Sequence, residues 1–349
     1  MKVIDDAAVG PYERVVYAID EPTGLQAVIA LHSTALGPAI GGCRFWPYAH
    51  PASAVIDALR LAEGMTMKAA VAGLPLGGGK SVIIGDPARI KTPWLLRAFA
   101  KVVDLFDGRY YTAEDVGTKV DDMEIVRSYT PYVVGLREGR MGGGGDPSPF
   151  TSRGVMAALR AAWESETGSP SLVGVRVVVL GVGKVGAGLA RHLTAAGATV
   201  LLSDVDHGRA AAVAADIGAT VLDPEGAPFT PCDVLAPCAL GGLLTHASVG
   251  RLRCRWIVGA ANNQLASNDV ADRLHDLGIG YVPDFVANAG GLISVAEELN
   301  GWTAERVGER VDEIAETVRH LIEDRLPGET VLAAARRVAA ERIEFARVA

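Results

Sequence analysis

The chain has 349 residues, 49% hydrophobic and 21% charged, with a formal net charge of −8. That length suits about two domains of roughly 150 residues, and the composition suits a globular protein with a sizeable core. The charge balance, with no Lys/Arg run to form a groove for polyanions, argues against nucleic acid as a partner.

The N-terminus, MKVIDDAAVG, carries early acids and no apolar signal core. Residues 14–20 (RVVYAID) and 25–33 (LQAVIALHS) read as strands joined by a turn at Pro22-Thr23-Gly24. Residues 52–71 read as a helix with Val55, Leu59 and Ala62 near one face. The uncharged stretches near 25–43 and 234–250 contain Gln26, His32, Ser33, Thr34, Thr245 and His246, and read as buried strands and turns, not membrane spans. GLPLGGGKS (73–81) nearly spells a phosphate-binding loop, but five residues separate Gly73 from Gly79-Lys80-Ser81 where that motif has four. A phosphate-loop lysine also begins a helix. Here Lys80 precedes SVIIGDP, a short strand closed by a turn, so the expectation is a glycine loop that presents Lys80 into a cleft.

Residues 92–106 read as a helix, and RYYTAEDVG (109–117) as a strand entering a loop. The Gly/Pro cluster MGGGGDPSP (141–149) is the strongest punctuation. It predicts domains at 1–140 and 141–327, with a helix over about 328–349 packing back on the first. A helix starts near Phe150; strands follow at 175–180, 198–204 and 256–262, and the pattern is mainly helical from Gly290 on. The expected fold is α/β in two domains, an N-terminal mixed-sheet α/β substrate domain and a Rossmann dinucleotide-binding domain, with a cleft between them. Cys43, Cys232, Cys238 and Cys254 show neither metal-ligand nor redox spacing. They predict reduced thiols, no metal and a cytoplasmic setting.

VVVLGVGKVGAGL (177–189) sets Gly181, Gly183 and Gly186 in GxGxxG spacing after an apolar strand and at the start of a helix. The glycines would make the turn, admit a pyrophosphate close to backbone and pack helix on strand. Asp204, 23 positions after Gly181 at the end of the next strand, stands where an acid bonds a ribose diol. An acid there disfavours a 2′-phosphate, and Arg209 is the only positive residue nearby, so NAD is expected over NADP.

Two lysines stand out. Lys68 lies among Met65, Met67, Ala69, Ala70 and Val71, and Lys80 follows three glycines. A lysine drawn into apolar surroundings loses hydration and gives up its proton more readily, which suits acid–base work near neutrality. TAEDVG (112–117) offers Glu114 and Asp115, and spacing alone does not choose between them, or between a functional carboxylate and turn chemistry.

Taken together, LHSTALGPAIGG (31–42), EGMTMKAAVAGLPLGGGKS (63–81), TAEDVG, GGGDPSPFTSRG (143–154), APCALGG (236–242), GAANNQL (259–265) and PDFVANAGG (283–291) resemble the glutamate/leucine/phenylalanine/valine dehydrogenase family. The resemblance covers nearly the whole chain in order and is nearest to the branched-chain group. It implies reversible oxidative deamination of an L-amino acid with NAD+ and water to a 2-oxo acid, ammonium and NADH. By the same resemblance, Lys68 matches the lysine that binds the substrate carboxylate, helped by backbone at Gly41-Gly42 and by Asn262. Lys80 matches the lysine that polarises the carbonyl and handles water protons, and Asp115 the carboxylate that exchanges a proton with the substrate nitrogen. Thr151 and Asn288 match positions near the nicotinamide. The cofactor set is then Gly181, Val182, Gly183, Lys184, Val185, Gly186 and Asp204, with Thr151, Ala239, Asn262 and Asn288.

The positions matching the family's side-chain pocket are Ile40, Met65, Ala113, Leu292 and Val295, all apolar. A buried γ-carboxylate without a cation is unfavourable. Valine, leucine or isoleucine is expected, and phenylalanine is the alternative because a methylene-scale difference discriminates by only about 1–3 kcal/mol. Family members are homo-oligomers, which the resemblance extends to this chain. A non-catalytic NAD-binding protein would call for a broken Lys80 or Asp115. A hydroxy-acid dehydrogenase would call for a histidine base, for which only His32 stays open.

Overall fold

Strand alternation builds the first sheet. β1 (Lys2–Val9), β2 (Tyr12–Asp20) and β3 (Leu25–Ser33) form an antiparallel meander. Gly24, at φ +75°, closes the β2–β3 turn, a conformation that favours glycine. β3 continues antiparallel to β5 (Gly77–Ile84), which lies parallel to β4 (Ala39–Trp46), and β4 lies parallel to β6 (Tyr110–Glu114). The order is β1-β2-β3-β5-β4-β6. This computed structural model describes residues 1–139, 142–239 and 241–348.

The two faces of that sheet are covered differently. Val28, Ala30 and Val82 meet α1 (Pro51–Val71) through Ala54, Ala58 and Ala62. Of the three residues expected near one face, Ala62 lies in that buried alanine stripe, and Val55 and Leu59 pack beside it, partly buried. The small residues let the helix axis approach the sheet closely, which the site exploits. On the other face, Ala27, Ile29, Leu31 and Ile83 pack with Leu95, Phe99, Val102 and Val103 of the helix Pro93–Asp104.

The glycine run is also not the loop expected from its composition. Gly77, Gly78 and Gly79 lie inside β5, buried, in register with Ser33 and Leu31 of β3 and with Ala39 and Ile40 of β4. A Cβ on Gly77 would lie 1.9 Å from Ser33 O, one on Gly78 2.1 Å from Thr66 N, and one on Gly79 2.7 Å from the Tyr110 ring. The glycines are there because neighbours approach the strand too closely for side chains.

The second sheet is wholly parallel. Its strands are β7 (Arg176–Leu180), β8 (Thr199–Ser203), β9 (Thr220–Val221), β10 (Val234–Pro237), β11 (Trp256–Ile257) and β12 (Gly280–Tyr281), in the order β12-β11-β10-β7-β8-β9. This is the doubly wound dinucleotide-binding order, with its switch point beside β7. The predicted strand at 256–262 is shorter than its apolar run, because Gly259 already lies against Pro237, where a Cβ would come 2.2 Å from Pro237 O.

The chain divides into two compact units, Met1–Asp146 with Val295–Thr303 and residues from Val338 on, and Pro147–Ser294 with Ala304–Arg337. The boundary expected at 140/141 lies outside the described residues. In the first unit, the Glu298 carboxylate accepts from Gly135 N–H at 2.8 Å and Gly144 N–H at 2.9 Å. Burial raises its pKa, against the lowering effect of these bonds. Arg342, in the helix Val331–Val348, donates to Ala70 O at 2.8 Å and Leu74 O at 3.3 Å, next to the end of α1. Among the described residues no helix is long and apolar enough to cross a membrane.

Candidate active site

Lys80 reaches its position as part of a strand. Its side chain is 8% exposed, and Nζ lies 2.7 Å from Asp115 Oδ2. Asp115 stands just past β6, in a turn tied back to β4. Its N–H donates to Thr118 Oγ1 at 2.9 Å, Thr118 donates to Cys43 O at 2.9 Å, and Phe45 N–H donates to Val116 O at 2.8 Å. Gly117 adopts φ +84° there, and a Cβ would meet Phe45 O at 2.0 Å. Of the two acids, Asp115 faces Lys80, while Glu114 is exposed.

Burial pushes the Asp115 carboxyl up, but Lys80 and Arg44 outweigh it and hold the group below its ordinary value. The carboxylate therefore stays ionised, and the buried lysine charge is paired, as a buried charge must be. The pair also needs room. On Gly42, opposite Ala113 in register, a Cβ would lie 2.8 Å from Asp115 Cβ and 3.3 Å from Lys80 Nζ. On Gly41 a Cβ would lie 1.8 Å from Gly79 O. The two glycines keep β4 flush with β5 and leave the space above the pair open. Tyr110 O–H donates to Gly41 O at 2.8 Å and lies 3.0 Å from Ser81 Oγ, bracing the same strands from beneath.

Lys68 is half-buried in the last turn of α1. Met65, three residues earlier, shares its face and is half-buried too. Between them Thr66 is fully packed, over Gly78, and its hydroxyl lies 2.9 Å from His32 Nδ1. His32 thus serves α1 and packs edge-on to Tyr12. It does not stand with Lys80 and Asp115 as a base. Ile40 is buried, while Ala113 and Val295 are half-buried. Leu292 is buried on the helix Gly290–Glu297.

The second unit gathers its candidates at the carboxyl ends of its strands. Gly181, at φ +91°, ends β7, and a Cβ would meet Ala239 Cβ at 2.6 Å. A Cβ on Gly186 would lie 1.9 Å from Gly181 O, so helix Lys184–Ala195 rests directly on the turn. Gly183 caps that helix without a side-chain hydrogen bond, and nothing lies within 4 Å of where its Cβ would be. Val182 is buried, Lys184 exposed and Val185 half-buried. An open backbone approach, a helix N-terminus with no side-chain cap and no acid in its first turn together make a cradle that fits a dinucleotide pyrophosphate.

Asp204, just after β8, accepts from Val182 N–H at 2.8 Å and Asp206 N–H at 2.9 Å. It holds the glycine turn as well as standing beside it, and two backbone bonds leave its carboxylate further acceptor capacity. Asn288 donates to Asn262 Oδ1 at 2.7 Å and Ala260 O at 3.1 Å. Thr151 packs against the Gly290–Gly291 backbone, its Oγ1 2.6 Å from the position a Gly291 Cβ would take.

Sequence reasoning missed Arg44, whose Nε lies 3.2 Å from Asp115 Oδ2. Reading 39–46 as a strand would have found it, since period two places Arg44 on the face of Gly42.

Comparison with known proteins agrees with this layout. Residues 13–132 match the family described as Glu/Leu/Phe/Val dehydrogenase, dimerisation domain, and residues 208–349 match Glutamate/Leucine/Phenylalanine/Valine dehydrogenase. The chain belongs to the Glu/Leu/Phe/Val dehydrogenases. It is 45% identical to the leucine dehydrogenase of Bacillus subtilis over 337 residues, 96% of this chain and 92% of that one. It is 46% identical to the valine dehydrogenase of Streptomyces coelicolor over 345 residues, 97% and 94% of the two chains. The solved structure of L-tryptophan dehydrogenase from Nostoc punctiforme superposes with a TM-score of 0.87 at 40% identity, over 97% of this chain and 98% of that one. This dehydrogenase is accordingly an oxidoreductase acting on a CH–NH2 group.

Proposed function

We propose that this dehydrogenase carries out NAD-dependent, reversible oxidative deamination of a branched-chain L-amino acid, releasing the 2-oxo acid and ammonium. The observation that carries the reading is the buried Lys80–Asp115 pair beside the side-chain-free Gly41-Gly42 edge. Lys68 holds the substrate carboxylate by charge. A nicotinamide dinucleotide, when bound, supplies the hydride acceptor for the α-carbon. Transfer of the Lys80 ammonium proton to Asp115 across the 2.7 Å contact leaves the amine neutral, and it then takes a proton from the water that attacks the resulting iminium carbon. As an ammonium it then stabilises charge developing on that oxygen. Asp115 exchanges the proton on the departing nitrogen, and its 2.7 Å contact with Nζ gives that proton a path within the pair.

Charge supports NAD over NADP. Asp204 and Asp206 stand at the end of β8, and Arg209, the cation nearby, is already engaged, 3.5 Å from Asp204 and 3.0 Å from Asp206. A 2′-phosphate would meet two carboxylates. The cradle Gly181–Gly186 would hold the pyrophosphate, with Ala239, Asn262, Asn288 and Thr151 belonging to the same unit. The apolar Ile40, Met65, Ala113, Leu292 and Val295 offer no cation to a γ-carboxylate. A homo-oligomer built through the first unit is supported by its match to a dimerisation domain and by β1, which forms one edge of the sheet.

NADH formation at alkaline pH, measured with valine, leucine, isoleucine, phenylalanine, tryptophan and glutamate and with NAD+ or NADP+, tests the reading. Turnover is expected with the branched-chain substrates and NAD+. Absence of turnover with every apolar L-amino acid would sink it. Asp204→Ser should narrow the preference for NAD+ over NADP+ by about tenfold, as loss of one nearby charge implies. An unchanged ratio would show that Asp204 does not face the ribose.

A further inference from the structure

Asp115 is held from two sides. Lys80 Nζ at 2.7 Å and Arg44 Nε at 3.2 Å both bear on the same oxygen, Oδ2. Arg44 is anchored in turn, its Nη1 lying 2.8 Å from Asp57 Oδ2, on α1. The Tyr48 hydroxyl donates a short hydrogen bond to that same Asp57 oxygen. The guanidinium therefore spans two carboxylates on different elements, Asp115 past β6 and Asp57 on α1. Only arginine's planar fork of donors does this at fixed geometry. Arg44, Asp57 and Asp115 are each about three-quarters or more shielded, with side chains 24%, 17% and 23% exposed, so these charges are weakly screened.

We propose that Arg44 is a positioning residue for the deamination, fixing the plane of the Asp115 carboxylate through Oδ2 so that Oδ1 is the oxygen offered to the substrate nitrogen. The proposal rests on the role given to Asp115 above. Without Arg44, one cation on one oxygen would leave the carboxylate free to rotate about its terminal torsion, which is intrinsically broad. Asp57 and Tyr48 serve by holding Arg44.

The other groups around Asp115 do not supply this. Burial pushes the Cys43 thiol up to about 12 and raises the Tyr110 phenol as well, so both stay neutral. The Val116 N–H adds a hydrogen bond but no charge. Glu114, the preceding residue, is exposed. Lys80 and Arg44, with Asp57 behind Arg44, are the charges that bear on it.

Arg44→Met and Arg44→Lys, made in the full chain, test this. The Asp115 carboxyl is followed by 13C NMR titration, assigned by its absence in Asp115→Asn, alongside kcat and KM in the NAD+ assay. In Arg44→Met the Asp115 midpoint should rise by at least about one pH unit. Its kcat should fall by roughly tenfold to a hundredfold, with KM for the amino acid within about threefold. Arg44→Lys keeps the charge but not the fork. It should hold the midpoint near that of the unmodified protein while losing part of kcat, and it carries the test if the methionine variant does not fold. An Asp115 midpoint unmoved in Arg44→Met, a loss confined to KM, or full kcat in Arg44→Lys would overturn the proposal. An unmodified protein that deaminates no amino acid would instead overturn the functional reading, while the NMR midpoints would still report whether Arg44 acts on Asp115.

Discussion

Lys80→Ala is expected to lower kcat for amino-acid deamination by at least about a thousandfold while NAD+ binding changes little. Two effects disappear together. A positioned proton acceptor contributes about 10²–10⁴ in rate, and a cation aimed at developing negative charge contributes a similar factor. Cofactor binding should be spared, because the cradle proposed for the pyrophosphate, the Gly181–Gly186 turn and the end of β8, lies in the other unit. Lys80→Arg sharpens the test. It restores a cation beside Asp115, but an arginine is effectively always protonated. It should rescue the fold and not turnover. Steady-state NADH formation measures kcat, and NAD+ binding is followed by calorimetry. Substantial activity in either variant would show that another group handles the water proton.

How far the sequence reveals this site depends on what kind of signal each residue carries. The second strand pair was legible because period and turn coincide: 25–33 is the observed β3. The strand–turn–helix at 176–195 was legible because glycine spacing, an apolar strand and a helix pattern all point one way, and each is local. GLPLGGGKS was misread in one respect. Glycines usually signal a loop, yet here they serve a buried central strand crowded by Thr66, Ser33 and Tyr110. Which neighbours crowd a strand is a property of the fold, so composition gave no warning. Asp115 and Glu114 are likewise indistinguishable locally, and the turn anchored by Thr118 decides which faces Lys80. Arg44 was hidden because β4 was not recognised, its AIGGC run reading as a motif before it read as a strand. β9 and β12, at two residues each, are too short for any period to register.

Gly78→Ala is expected to destabilise the protein by about 3 kcal/mol, near the upper end for overpacking, with activity falling further than stability alone explains. The added methyl would lie 2.1 Å from Thr66 N, 2.4 Å from Thr66 Oγ1 and 2.6 Å from Thr66 Cα. Two of those atoms are α1 backbone, so no rotamer change relieves the clash. The helix must lift from β5, and it carries Met65 and Lys68 while β5 carries Lys80. The distance between the two lysines therefore changes even in molecules that stay folded, which should appear as a raised KM for the amino acid. Gly64→Ala, on the same helix, is the control. Its Cβ would meet nothing within 4 Å, so relief of glycine's helix penalty should leave the protein unchanged or more stable by up to about 1 kcal/mol. Thermal unfolding of both variants, with KM for leucine, measures the contrast. Equal melting temperatures would mean that α1 does not rest on the Gly78 backbone, and that the glycine run needs another explanation.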